Sequence, residues 1–247
     1  MVGIGKEIDQ RYDEFGPVQV FDNGNKRTLM FGANDEQGCV LKQSPHIAQF
    51  DYIRAMMLVL LFKSQSERCL LLGLGSGALA TALFYADHNT HLDVVELRQA
   101  VIDVAYRYFY LPQDERIRVF NADAGEFLQT EPEQYDLLFS DLYHAQGMDV
   151  QQGSSRFLNR CVARLRTDGW LVLNYWQNHR RLDVVSQLKM QFRQVWSVSV
   201  GKDNWILLAS NSPVALDKNQ RKVQLKALNA RLGFSLSKVS RQLSALV

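Results

Sequence analysis

Four short stretches place chemistry-bearing residues at comparable positions. Gly73-Leu74-Gly75-Ser76-Gly77 lies between the apolar run CLLLGLG and the helical pattern SGALATALFYA. Glycines at such a junction allow a tight turn and let backbone N–H groups at the helix start approach a ligand closely. Glu96 ends the next apolar run, HLDVVEL, nineteen residues after Gly77, where a carboxylate can accept hydrogen bonds from both hydroxyls of a ribose. Asp123 ends IRVFNAD and is followed by Ala124. Its carboxylate can accept from an adenine amino group while the Ala124 N–H meets a ring nitrogen, or it can cap the helix AGEFLQT. Asp141 ends the fourth run, YDLLFSD. Gly73, Gly75 and Ala78 also fit G-x-G-x-x-A, so a nicotinamide dinucleotide site and a dehydrogenase stay open as an alternative. The acids after the third and fourth runs favour a single nucleoside.

These residues share one site only if their runs are neighbouring parallel strands. Apolar runs alternate with helical patterns from Cys69 to Trp176, including a helix near 154–166 and the strand GWLVLNYW. Runs buried on both faces and alternating with helices imply a parallel sheet with crossover helices. Its ligand crevice lies outside the carboxyl ends of the strands. VWSVSV and NWILLAS are separated only by Gly201, Lys202 and Asp203, which permits a hairpin and no helical crossover. The expected fold is therefore α/β, a mostly parallel sheet closed by an antiparallel C-terminal hairpin. Residues 1–45 read as a small β appendage, with Asn23-Gly24 as a hairpin turn between VQVFD and RTLMFG and CVLKQ as a further strand. A helical pattern follows over 46–63. The nucleoside-binding domain is placed at 46–216.

Residues 217–247 differ in charge. They hold seven Lys or Arg and one acid, a net +6, against +2 for the whole chain. Val223, Leu225, Leu228 and Leu232 recur at helical spacing, so the tail is expected to be a basic amphipathic helix packed on the domain or a partner subunit, with nucleic acid an unlikely target. No apolar run reaches the ~18–20 residues that span a bilayer, and the N-terminal residues lack a secretory apolar core. Membrane attachment is not expected, and the expected compartment is the cytoplasm. Cys39, Cys69 and Cys161 are widely spaced and indicate neither disulfides nor a metal site. The four tryptophans read as core or interface aromatics.

From Val18 to Ser210, through LLLGLGSG, VVEL, NADAGEFL and YDLLFSDLY, the chain resembles the spermidine synthase family of aminopropyltransferases, within the Rossmann-like methyltransferase fold. The resemblance implies decarboxylated S-adenosylmethionine, or S-adenosylmethionine, as co-substrate, with no metal. It further implies a polyamine acceptor and a homodimer. It assigns Asp141, the first acid of a D-x-x-D motif, as the catalytic base. Gly73, Gly75, Ser76, Gly77, Glu96, Asp123, Ala124 and Gln43 fall to the donor, and Tyr52, Tyr143 and His144 to the acceptor.

Three positions depart from the family pattern. Ser76 stands where the glycine turn commonly carries an aspartate, His144 replaces the second acid of D-x-x-D, and Tyr52-Ile53-Arg54 replaces Tyr-His-Glu. Each change removes a group suited to a cationic substrate, and Arg54 is expected to repel one. The expectation is an S-adenosyl sulfonium transferase with an altered acceptor site. A methyltransferase and a noncatalytic nucleoside-binding protein are the alternatives.

Overall fold

Two strands that are apolar along nearly their whole length form the centre of the sheet. The computed structural model describes residues 5–32, 36–144, 147–176, 182–213 and 217–246. An antiparallel sheet opens the chain: β1 (Lys6–Asp13), β2 (Gly16–Asn23), β3 (Lys26–Met30) and β4 (Glu36–Leu41) pair in sequence order. α1 (Asp51–Met56) runs directly into a 3-10 turn, Met57–Leu61. The alternating part comprises β5 (Arg68–Leu72), α2 (Ala78–Ala86), β6 (His91–Glu96), α3 (Gln99–Tyr108), β7 (Ile117–Asn121), α4 (Ala124–Thr130) and β8 (Tyr135–Ser140). A small ladder follows, β9 (Tyr143–His144) with β10 (Gly147–Met148), then α5 (Ser155–Ala163) and β11 (Leu165–Trp176). The last elements are α6 (Leu182–Gln191), β12 (Gln194–Val200), β13 (Asn204–Ser210), α7 (Lys218–Leu232), α8 (Ser237–Ser240) and β14 (Ser244–Ala245).

The main sheet has the order β14-β12-β13-β11-β8-β5-β6-β7. β11, β8, β5, β6 and β7 are parallel, and β12, β13 and β14 are joined antiparallel. β8 is buried at every residue and β5 at all but its first. Strands covered by helices on both faces need mostly apolar sequences, and the buried Asp136 of β8 is met by Lys63, Arg166 and two backbone N–H groups. From β5 the chain builds outward through β6 and β7, then returns to place β8 and β11 on the other side. The switch point therefore falls between the carboxyl ends of β5 and β8, where a crevice opens.

The sequence reading needs correction in four places. β1 was not anticipated, because KEIDQRYD is mostly exposed and lacks an apolar alternation. The helix expected over 46–63 is confined to α1 and the 3-10 turn. The carbonyls of Ile47 and Ala48, which would begin a longer helix, instead accept from the side chains of Gln49 and Arg54 at 2.7 and 2.8 Å. Val223, placed on the apolar face of the tail, is 71% exposed. Finally, the tail is more than an appended helix. Leu228, Leu232, Leu236, Val239 and Leu243 join the same core as Val18, Val20 and Leu29 of the appendage, and β14 pairs with β12. A capping box between Asp217 and Gln220 starts α7, and Gly233 in the left-handed conformation ends it.

Candidate active site

A cavity of about 610 Å³ lies over the switch point. Its floor is the glycine turn after β5 together with the segments that follow β6, β7 and β8. Its walls come from the appendage, α1 and the loop between β12 and β13.

Gly73 fixes the geometry between the two central strands. Its N–H donates to Val95 O, and Asp141 N–H donates to Leu72 O, both at 2.8 Å. Its φ is +96°, and a Cβ there would lie 2.3 Å from the backbone oxygen of Asp141. Gly73→Ala therefore combines left-handed strain with a backbone clash at the site itself. We expect it to lower unfolding free energy by roughly 2–5 kcal/mol, measured by chemical denaturation; a loss below about 1 kcal/mol would contradict this close approach.

Glu96 ends β6 and lines the cavity. Its carboxylate accepts from the N–H groups of Leu74 (3.0 Å) and Arg98 (2.9 Å) and is also bonded to the Gly75 N–H. Burial raises its pKa, and these N–H groups partly offset the rise. Glu96 thus holds the glycine turn in shape as well as facing the cavity. Arg98, two residues on, pairs with Asp13 at 2.8 Å and stacks over Phe31, tying the appendage to this corner.

The other expected donor residues are placed unequally. Gly75 and Ser76 line the cavity, and Ser76 is buried against Gly38 of β4. Gly77, in the left-handed conformation, is the N-cap of α2 and shapes the turn without lining the cavity. Asp123 lines it too, but its carboxylate accepts from Glu126 N–H at 2.9 Å, the capping role, while Ala124 is buried beside it. Gln43 is exposed in the turn after β4 and does not line the cavity. Similarity of local sequence put it at the nucleoside edge; the turn carries it away.

Asp141 sits at the carboxyl end of β8. Asn174 Nδ2 donates to its Oδ1 at 2.7 Å, and the Tyr52 hydroxyl is bonded to the same carboxylate. Burial pushes the Asp141 pKa up to about 6, with the two hydrogen bonds pulling the other way. Burial, and then the Asp141 charge, raise the pKa values of both Tyr52 and Tyr143, so both stay neutral hydroxyls. Gln152, fully buried, bridges the Ser140 hydroxyl and the Leu142 carbonyl and so pins the chain on either side of Asp141.

Tyr52 and Tyr143 line the cavity as expected. The backbone of His144 pairs with Gly147, and the expectation for its side chain lies outside the described residues. Arg54 does not enter the cavity: its Nε donates to Ala48 O, and its guanidinium lies over Phe234 of the C-terminal segment. The expected repulsion is therefore withdrawn. Instead the wall carries further acids, Glu36, Asp51, Asp149 and Asp203, that sequence reasoning did not single out. Asp51 is paired with Lys238 of α8, and Asp149 caps a 3-10 turn. Asn174 was also not singled out, although an amide within the otherwise apolar and aromatic strand run WLVLNYW was a signal that could have found it. Trp176, read as a core or interface aromatic, faces the cavity and meets Tyr143 edge-on at 6.2 Å.

A mostly parallel sheet with a glycine turn after β5, a buried acid at the end of β6 and an antiparallel terminal hairpin defines the Rossmann-like methyltransferase fold. The pattern of the Spermine/spermidine synthase domain matches residues 49–204, and the chain belongs to this family. A polyamine aminopropyltransferase of Vibrio vulnificus is 27% identical over 190 residues, 74% of this chain and 63% of that protein; the chain thus spans less than two thirds of this relative. The structure of a probable spermidine synthase from Corynebacterium glutamicum superposes with a TM-score of 0.76 at 16% identity, covering 97% of this chain and 93% of that one. Spermidine synthase from Thermotoga maritima superposes at 0.70 and 14% identity over 96% and 84% of the two chains. Among the described residues no helix is long and apolar enough to cross a membrane.

Proposed function

We propose that this chain transfers an aminopropyl group from decarboxylated S-adenosylmethionine to an amine, with Asp141 as the base. The observation that carries the reading is the Asp141 carboxylate, held by Tyr52 and Asn174 beside the glycine turn, in a cavity whose charged lining residues are acids apart from Arg98. The amine nitrogen attacks the carbon next to the sulfonium. The carbon–sulfur bond breaks with its electron pair passing to sulfur, releasing neutral methylthioadenosine, so no acid is needed for the leaving group. The acceptor must first lose a proton. A free alkylammonium holds it with a pKa near ~10.4, and burial beside a carboxylate makes transfer to Asp141 feasible.

On the donor side, Glu96 takes the ribose and the Asp123-Ala124 segment the adenine. Titration calorimetry tests this half. Methylthioadenosine and the decarboxylated donor should bind, and NAD should not; preferential binding of NAD would sink the reading.

The acceptor side is altered. His144 leaves one acid of the D-x-x-D pattern missing, Ser76 removes another that would hold the donor's free amine beside it, and Asp203, on the exposed hairpin loop, supplies a carboxylate at a different place. Putrescine is therefore a weak acceptor, and the loss appears mainly as weak binding, because groups anchoring a distal ammonium act in the ground state as well as the transition state. Its KM should exceed the ~1 mM upper end of the usual range. Ser76→Asp with His144→Asp should lower it. A micromolar wild-type KM would mean that the acceptor site is that of an ordinary spermidine synthase.

A further inference from the structure

We infer that Asn174 and Asn204 form a positioning relay by which the terminal hairpin orients the base, an inference that rests on the function proposed for Asp141. Asn174, near the end of β11, is 2% exposed, and both ends of its carboxamide are engaged. Its Nδ2 donates to Asp141 Oδ1 at 2.7 Å, and its Oδ1 accepts from Asn204 Nδ2 at 3.0 Å. Asn204 begins β13, directly after the hairpin loop, and both asparagines line the cavity.

A carboxamide can turn over, exchanging donor for acceptor. Here two neighbours select the same setting: the Asn204 NH2 requires the Asn174 oxygen, and the Asp141 carboxylate takes the Asn174 NH2, so Asn204 reinforces the orientation that serves the base. That arrangement favours the ionised carboxylate, since a hydrogen bond donated to the charged form lowers its pKa. Asn174 takes one position on Oδ1 and Tyr52 another on the carboxylate, and the lone pairs they leave are available to the acceptor. The same hairpin contributes Val200, Gly201 and Asp203 to the cavity wall, so an amine settling there touches the element that sets the base.

Other groups also face Asp141. Tyr52 from α1 is bonded to it, and Tyr143 from β9 lies near enough to feel its charge while its hydroxyl donates to Asn174 O at 3.3 Å. Asp51 at the head of α1 is partnered by Lys238, and Asp203 in the hairpin loop has no salt bridge among the described residues. Glu96, Asp123, Asp149 and Arg98 lie elsewhere on the wall. None of these orients the Asn174 amide, which is the role assigned to Asn204.

Asn204→Asp replaces the donor by an acceptor of the same shape. It should draw the Asn174 NH2 to itself and present the Asn174 oxygen to Asp141. Asn204→Ala removes the donor without adding charge, which separates the relay from simple repulsion. The readout is the carboxyl 13C titration of Asp141 in the ligand-free protein, identified by its loss in Asp141→Asn. The relay requires an upward shift of about half a unit or more in Asn204→Ala and a larger one, about a unit or more, in Asn204→Asp. The acidic limb of kcat/KM for methylthioadenosine formation should move with it, and activity should recover at high pH. An unmoved titration in Asn204→Ala overturns the relay even if Asn204→Asp shifts, since charge alone then suffices. If no variant forms methylthioadenosine, the transfer reading fails while the carboxyl titration still decides on the relay.

Discussion

Asp141→Asn is expected to abolish most methylthioadenosine formation while leaving donor binding in place. A positioned base contributes about 10²–10⁴-fold, and the amide keeps the shape and an oxygen for Asn174 while losing the capacity to take a proton. The wild-type kcat/KM should fall with decreasing pH along a limb centred near 6, because burial pushes the Asp141 pKa up to about 6. The same burial has a stability consequence of opposite sign. The folded pKa lies above the ordinary carboxylate value near ~3.9, so the folded state favours the protonated group. No penalty exists below the lower value, where both states carry the proton. It grows as pH rises and is complete above about 6. At pH 7 the substitution should therefore stabilise the chain by up to about 2–3 kcal/mol. Urea melts of both proteins at pH 7 and pH 4 check the sign: a gain present at pH 7 and much reduced at pH 4 is expected, and a loss at pH 7 would contradict it.

Glu96→Ala should weaken methylthioadenosine binding by about 10- to 150-fold, the equivalent of ~1.5–3 kcal/mol for hydrogen bonds to a charged group. The carboxylate also serves the N–H groups of Leu74, Gly75 and Arg98. The alanine variant consequently loses stability too, because buried donors are left unmet. Glu96→Gln keeps one acceptor oxygen for the turn and should retain more of the fold than of the affinity. Calorimetric affinities alongside melting curves for the two variants separate the contributions. Full affinity in either variant would remove Glu96 from the nucleoside site.

The parallel core was legible because β5 and β8 are buried on both faces and carry the apolar runs CLLL and LLF. Gly73, Glu96, Asp123 and Asp141 were legible because each closes such a run. Their convergence needed only the rule that ligands gather at strand carboxyl ends. Other features depend on contacts that no local pattern encodes. A lone Asn174 in an apolar strand announces a buried amide but not its partners, which arrive from residues 33 positions before and 30 after it. Asp51 and Asp203 look like ordinary surface acids until α1 and the hairpin are folded over the crevice. In the tail, Gly233 breaks the helical phase between Leu232 and Leu236, so the continuation of its buried face into α8 was hidden. Gln43 failed for a related reason, since a short local likeness to the family says nothing about which way the turn after β4 points.

The central claim is that an amine, activated at Asp141, displaces methylthioadenosine from a sulfonium donor held over the switch point. It is tested most directly by incubating the protein with decarboxylated S-adenosylmethionine and a panel of mono-, di- and polyamines, then following methylthioadenosine by chromatography. The account predicts release that requires both donor and amine, is slow with putrescine, is faster with at least one other amine, and disappears in Asp141→Asn. Release that persists undiminished in Asp141→Asn, or no release with any amine despite a bound donor, would contradict it.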